Sequence, residues 1–472
     1  MAAQGKGLDI VIMAAGKGTR MRSKWPKVLH RLGGKSLLQH VLDMAAELGA
    51  RRIVVVTGHG AAAVQAAVRA PNLVFAHQEP QLGTGHAVQQ AAPLLADEGV
   101  TLILNGDVPL LRSTTARALV EACDGARLAL LTAEFDDPSG YGRVLRGDPA
   151  GRNAQEGGRI HRIVEDKDAT ATDRHIREIY TGAMAAPSAA LKRWLGALRN
   201  ENAQGEYYLT DVVALAVAEG VPVVSAQPES RTEVLGINSA GQLAELERVL
   251  QREQAEQLLD AGVRLADPAR FDQRGELLCG RDVEIDVGCV FEGSVVLGDD
   301  VRIGAHCLIR NAVIDAGATI RPYTHIDGEA LGARVGAGAS VGPYARLRGG
   351  AELGPDVHVG NFVEIKNSVL ARGAKANHLA YLGDSDVGER VNFGAGSITA
   401  NYDGANKHRT VIEADVHVGS NSVLVAPVTV GAGGTVGAGS VITKDTQPGA
   451  LSVARGKQAS IANWQRPKKP QK

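Results

Sequence analysis

Cysteine is scarce in this chain. Four occur in 472 residues, Cys123, Cys279, Cys289 and Cys307, with no CxxC pair and no cluster with histidine. That excludes a disulfide scaffold and a thiolate metal site, and the four read as small, reduced, mostly buried residues of a cytoplasmic protein. Net charge is also nearly absent, at −1 with 22% charged residues. The composition is that of a soluble globular chain, and no global positive field points to nucleic acid. Long apolar runs are missing. No stretch approaches the roughly 18 apolar residues of a membrane span, and "LDIVIM" (8–13) is too short for the apolar core of a secretory leader. The final "QRPKKPQK" is basic and reads as a solvated tail.

What is present falls into two patterns. Up to residue 238, short apolar runs alternate with longer helical ones. "DIVIM" (9–13), "RIVVV" (52–56), "TLILNGD" (101–107) and "ARLALLT" (126–132) predict strands, and 36–50 and 85–99 predict helices. Buried strands alternating with helices imply a mostly parallel sheet covered on both faces.

From about residue 280 an apolar residue recurs every six positions. The series runs Ile285, Phe291, Leu297, Ile303, Ile309; then Val335, Val341, Leu347, Leu353, Val359, Ile365; then Ile412, Val418, Leu424, Val430, Val436, Ile442. A glycine often follows. Six matches neither a helix nor an alternating strand. It matches hexapeptide repeats wound as a parallel β-helix, each hexad one side of a triangular coil, with about eight coils over 285–442. Breaks in phase are expected at 371–386 and at 399–411, where loops on a binding face would emerge. Residues 239–262, rich in Leu, Glu, Gln and Ala, predict a connecting helix. The chain thus divides into 1–238, a linker helix 239–262, a β-helix 263–456 and a tail 457–472.

"MAAGKGTRM" (13–21) follows the first strand. It is not a Walker A loop, because Leu29 stands where the nearby "GGKS" would need its first glycine. Nor is it the dinucleotide fingerprint, since Met21 holds the third glycine position. What remains is a glycine turn with Lys17, Arg20 and Lys27, able to bring backbone N–H groups and cations to phosphate. "GTGHA" (83–87) is a second glycine turn opening a helix. Asp107 ends a buried strand, at the sheet edge where such folds bind ligands. Taken singly, each also suits an ordinary turn or cap.

Together "AAGKGTRM…PK", "QLGTGHA", "GD", "GYGR" (140–143), "IVEDKDA" (163–169) and "GEYYLTD" (205–211) resemble the nucleotidyltransferases that join a sugar 1-phosphate to a nucleoside triphosphate. That resemblance implies a Rossmann-like α/β domain. It also implies Mg²⁺ held by Asp107 and Asn238, Arg20 facing the triphosphate and Lys27 facing the reacting phosphates. Ala14, Ala15, Gly16, Gln78, Gly83, Thr84, Asn105 and Gly106 would hold the nucleotide, and Gly142, Glu165 and Tyr180 the sugar. Two positions depart from the family: Asn105 before "GD", and Tyr180 in "YTG" where Asn is common.

In the hexad region Arg348 and Lys366 are separated by three hexads, one full coil, and should project from the same side as a phosphate clamp. Histidine is the side chain that exchanges protons near neutral pH, and His378 suits a general base. "GNFVEIK", "HLAYLGD", "VNFGAGSITANYDG" and "LVAPVTVGAG" resemble the acetyltransferase half of the bifunctional uridylyltransferase/N-acetyltransferase family that makes UDP-N-acetylglucosamine. The family has a left-handed β-helix and assembles as homotrimers. By resemblance His378 is the base, and Arg348, Lys366, Tyr381 and Asn392 bind glucosamine 1-phosphate. Ala395, Asn401, Tyr402, Ser420, Ala438 and Arg455 line the acetyl-CoA site. UTP and N-acetylglucosamine 1-phosphate would be the substrates of the first domain. A hexad domain that only assembles the oligomer is the alternative reading.

Overall fold

The computed structural model describes residues 7–147, 158–467 and 469. The chain divides into two compact units, residues 1–250 and 251–472. The end of the basic tail, residues 468 and 470–472, lies outside the described residues.

In the first unit the four expected strands form at Leu8–Ala14, Arg52–Thr57, Val100–Asn105 and Leu128–Glu134. The order across the sheet is Val223–Ala226, Leu128–Glu134, Glu178–Pro187, Val100–Asn105, Leu8–Ala14, Arg52–Thr57, Leu73–His77. Leu8–Ala14 runs parallel to both neighbours, whereas Glu178–Pro187 runs antiparallel to both of its own. Successive residues of a strand point to opposite faces, so Ile10 and Ile12 enter one core and Val11 another. Both faces are covered, which is why these strands read as unbroken apolar runs. The first expected helix spans Leu37–Glu47, opened by the Ser36 side chain accepting from the Gln39 N–H. The second covers only Thr84–Ala91 before a 3₁₀ turn at Ala92–Leu94. Pro93 falls there and cannot continue an α-helix interior.

In the second unit all seventeen in-phase residues are buried, none more than 5% exposed. Each fully buried Ile or Leu contributes about 1.5–3 kcal/mol relative to exposure. One side of the coil is an eleven-stranded parallel sheet from Arg264–Leu265 to Leu451–Ser452. The other two sides form a sixteen-stranded sheet, continuous because the long strand Leu308–Ile314 bends round a corner. From Ile285 to Val436 the first side takes eight steps, as the period predicts.

At 371–386 the phase slips as expected but no loop emerges: Leu353 pairs with Leu370 and Leu370 with Val387, each step one residue short of three hexads. Lys375–His378, Tyr381–Gly383 and Ser385–Val387 sit in the ladders, each paired with a strand of the preceding coil. The inward series continues through the slip, with Leu370, Ala376, Leu382 and Val387 all buried. The excursion at 399–411 is real, since Ser385 pairs with Thr410, a step well beyond three hexads. A further insertion falls at 328–332, where Ala312 pairs with Ala333.

A continuous helix, Ala240–Asp260, joins the two patterns. Leu243 and Leu246 pack with Met21, Leu32, Leu37 and Ile237 in the first unit, and Ala255 and Leu258 join the core of the second. All four cysteines are free thiols. Burial pushes Cys289 up to about 11 and Cys307 up to about 12, so both stay protonated and inert.

Candidate functional sites of the two units

Every motif of the first unit gathers at the carboxyl edge of the sheet. The loop after Ala14 needs its glycine at 18. There φ is +59°, and a side-chain Cβ would lie 2.6 Å from the Cβ of Lys27. That close approach presses the loop against Lys27, which a short 3₁₀ turn at Lys27–Leu29 aims inward. Its ammonium reaches Asp107 Oδ2 at 2.5 Å and Asn238 Oδ1 at 2.9 Å. The backbone holds the pair together as well, because the Ile237 N–H donates to the Asp107 carbonyl.

Two cavities meet at Asp107. One, of about 880 Å³, is lined by Ala14, Ala15, Gly16, Lys27, Gln78, Gly83, Thr84 and Asn105. The other, of about 290 Å³, is lined by Arg20, Gly142, Glu165, Tyr180, Thr210 and Asn238. Met13, Thr84, Asn105 and Asp107 line both. The result is a single groove with a nucleotide-sized end, a smaller polar end and a carboxylate between them. Among the described residues nothing is bonded to the Arg20 guanidinium, which faces the groove as a free cation.

The separated motifs are tied to one another. The Gln78 amide donates to the Gly83 carbonyl at 2.9 Å, and the Gln81 amide donates to the Ala15 carbonyl at 2.7 Å. Thr84 Oγ1 accepts from the Leu209 N–H, and the Tyr207 N–H donates to Leu82, which pins "QLGTGHA" to "GEYYLTD". In the small cavity Thr210 Oγ1 donates to Glu165 Oε1 at 2.9 Å. Burial pushes the Glu165 carboxyl above its ordinary range. Tyr180 lies buried beside it, its hydroxyl without a partner among the described residues and its phenol raised well above the usual value by burial. Gly182, at φ +94°, lets Asn105 lie flat against the strand, since a Cβ there would collide with the Asn105 amide nitrogen. The two departures from the family, Asn105 and the "YTG" turn, are thus neighbours. Arg143 of "GYGR" is 2% exposed and paired with Asp166, so it is a structural residue.

In the second unit Arg348 and Lys366 fall in adjacent coils, as their spacing predicts: Leu347 pairs with Ile365, and the Arg348 N–H donates to the Ile365 carbonyl. Arg348 is not a free clamp. Glu329, from the insertion at 328–332, and Glu364 both hold its guanidinium, at 3.4 and 3.2 Å. Lys366 instead faces Lys407, from the excursion at 399–411. The neighbouring Lys407 ammonium is the largest cause that lowers the Lys366 pKa, with burial and Arg348 adding. Two facing ammoniums are relieved by an anion placed between them.

Asn361, His378, Ala395, Ser420 and Ala438 occupy one corner in five successive coils. Backbone bonds link them in turn: Leu379 to Asn361, Gly396 to His378, Asn421 to Ala395, Gly439 to Ser420. His378 Nδ1 lies 2.9 Å from Asn361 Oδ1. Arg455 reaches the Ala438 carbonyl at 2.6 Å. Asn401 bonds the buried carboxylate of Asp384, which also accepts from Asn367, and Tyr402 begins the excursion with its hydroxyl on Gly404. Tyr381 takes its pose because Gly383 carries no side chain, as a Cβ there would collide with the phenol oxygen. Asn392 is exposed at the start of its strand. Glu329, Asn361, Asp384, Lys407 and Gln81 were not singled out from the sequence, although the hexad phase skips at 328–332 and could have flagged Glu329.

These features define a nucleotidyltransferase unit followed by a hexapeptide-repeat transferase unit. Residues 10–266 match the MobA-like NTP transferase domain, residues 275–334 the GlmU-like C-terminal hexapeptide, and 332–367 and 409–444 the bacterial transferase hexapeptide repeats. The chain is 71% identical over 466 residues to the bifunctional protein GlmU of Methylibium petroleiphilum, covering 98% of this chain and 99% of that one. It is 66% identical over 476 residues to the bifunctional protein GlmU of Polaromonas sp., with 98% and 99% covered. The chain belongs to the GlmU family. It is an enzyme with two activities, nucleotidyl transfer and acetyl transfer. Among the described residues no helix is long and apolar enough to cross a membrane.

Proposed function

We propose that residues 263–456 acetylate glucosamine 1-phosphate with acetyl-CoA, and that residues 1–238 transfer UMP from UTP to the product. The observation that carries the second assignment is Asp107 at the junction of the two cavities. UTP lies in the larger, N-acetylglucosamine 1-phosphate in the smaller, and the reacting phosphates meet between them. The attacking sugar phosphate is already an anion and needs no base, so catalysis reduces to alignment and charge neutralisation. Arg20 clamps the triphosphate. Lys27 moves from Asp107 and Asn238 to the phosphates as they arrive. Gly142, Glu165 and Tyr180 hold the sugar.

The oxygens of Asp107 and Asn238 converge on one cation, the Lys27 ammonium, at 2.5 and 2.9 Å. A carboxylate and an amide oxygen suit Mg²⁺, which takes its other ligands from phosphate and water. Asp107 and Asn238 would hold the ion, which would supply positive charge to the reacting phosphates. Among the described residues no group of three or more His, Cys, Asp or Glu could hold a metal. With a strong chelator, pyrophosphate release should stop and CoA release should continue. Undiminished pyrophosphate release would remove the metal role of Asp107 and Asn238. Replacing N-acetylglucosamine 1-phosphate by its galactose epimer tests the sugar assignment.

In the β-helix, Lys366 and Lys407 take the phosphate of glucosamine 1-phosphate, with Arg348 braced behind them. Tyr381 and Asn392 hold the sugar. His378 takes a proton from the amine, the amine attacks the thioester carbonyl, and CoA leaves as the thiol. Ala395, Asn401, Tyr402, Ser420, Ala438 and Arg455 hold acetyl-CoA.

The functional state is a homotrimer. His306, Tyr323, Tyr344 and Phe362 stack up one corner with centroids 5.1, 5.1 and 5.6 Å apart. The last three are 50%, 50% and 57% exposed, and Leu379 continues the stripe at 61%. An exposed apolar ladder of this length calls for a cover, and copies of the same chain supply it. Phe362→Asp should convert a trimer to a monomer in sedimentation. A wild-type monomer, or a variant whose mass is unchanged, would refute this assignment.

A further inference from the structure

His378 is exposed, and a base in such a position needs something to fix its ring. The structure provides one neighbour for that purpose. Asn361 and His378 are register partners in adjacent coils, and their side chains meet at 2.9 Å between Asn361 Oδ1 and His378 Nδ1. A neutral imidazole carries one N–H. An amide oxygen can only accept, so it holds that hydrogen on Nδ1 and leaves the lone pair on Nε2.

We infer that Asn361 is the positioning residue of acetyl transfer: it fixes the tautomer and plane of His378 so that Nε2 faces the substrate amine as the proton acceptor. The inference rests on His378 being the base. The choice of an amide matters. A carboxylate in its place would attract the imidazolium, favour the protonated ring and disarm the base at neutral pH. The strands packed against His378 present no such charge. Its own strand, Lys375–His378, carries Lys375; the coil before, His358–Asn361, carries His358; the coil after, Asn392–Phe393, carries no titratable group. Asn361 is thus the one side chain on these strands seen to bond the ring. The neighbouring carboxylates are already engaged, Glu364 by Arg348 and Asp384 by Asn367 and Asn401.

The test uses the full-length protein and the pH profile of CoA release with glucosamine 1-phosphate. Asn361→Asp puts a negatively charged carboxylate beside Nδ1, so the acid limb should move up by about one pH unit, with activity regained at higher pH. Asn361→Leu, which cannot accept, should lower kcat by about 10–100-fold with little change in the KM for glucosamine 1-phosphate. Pyrophosphate release from UTP should be unchanged in both. An acid limb that stays in place in the Asp variant, with His378→Ala inactive, overturns the role of Asn361 and leaves His378 as the base. An active His378→Ala variant overturns the base itself. Nitrogen NMR of histidine-labelled wild-type protein provides a readout independent of any Asn361 variant. The resonance lost in His378→Ala should report hydrogen on Nδ1, and hydrogen on Nε2 would refute the inference.

Discussion

Replacing His378 by alanine should reduce CoA release by about 10²–10⁴-fold, the range expected when a positioned general base is removed. Pyrophosphate release from UTP and N-acetylglucosamine 1-phosphate should persist at its full rate. The reason is structural. His378 stands at a corner of the coil, in the step between Asn361 and Ala395, and its exposed ring supports no core. Its loss leaves the β-helix ladder intact, because that ladder is made by backbone bonds and by inward residues such as Ala376 and Leu382. Without the imidazole the substrate amine keeps its proton and has no lone pair to attack the thioester. Raising the pH should restore part of the rate, since hydroxide then deprotonates the amine. Loss of both activities in a folded variant would refute the separation of the two sites.

The complementary expectation concerns Asp107. Asp107→Ala should lower pyrophosphate release by at least about 10³-fold, a loss typical of removing charge stabilisation at a phosphoryl centre, and should spare CoA release. Asp107 contributes the carboxylate at the point where the two cavities join. Without it Asn238 offers only a neutral amide oxygen, which holds Mg²⁺ weakly. Lys27 would also lose its 2.5 Å partner and be left partly buried beside an amide. Asp107→Asn separates these effects. It keeps the shape and an oxygen ligand but removes the charge, so its activity should fall nearly as far. A near-normal rate in the Asn variant would mean that position, and not charge, is what Asp107 supplies.

Much of the fold is legible in residue order. The six-residue period located seventeen inward side chains, because every side of the solenoid repeats the same inward demand, a large apolar residue with another buried residue two places before it, as at Val357 and Val359. The strand runs at 9–13 and 101–107 were legible because both faces of the sheet are covered. Ala14 and Asp107 were placed at the carboxyl edge for the same reason. The break at 371–386 was legible as a loss of phase but not as its cause, because coils one residue short of three hexads shift the count while every strand stays in its ladder. The supporting partners were harder to find. Glu329 meets Arg348 only because of an insertion, and Asn361 meets His378 across a coil that falls one position short of three full hexads.

By itself the amino-acid sequence determined the two-part architecture, the repeat and the residue types that carry charge and protons. Periodic burial and glycine turns are local demands, and local demands leave a trace in residue order. The tertiary structure alone decided which oxygens converge on Lys27, that Glu329 and Glu364 occupy Arg348 while Lys407 joins Lys366, and which nitrogen of His378 faces outward. Those outcomes depend on distances between side chains far apart in the chain, and outward-facing residues obey no period that would reveal them.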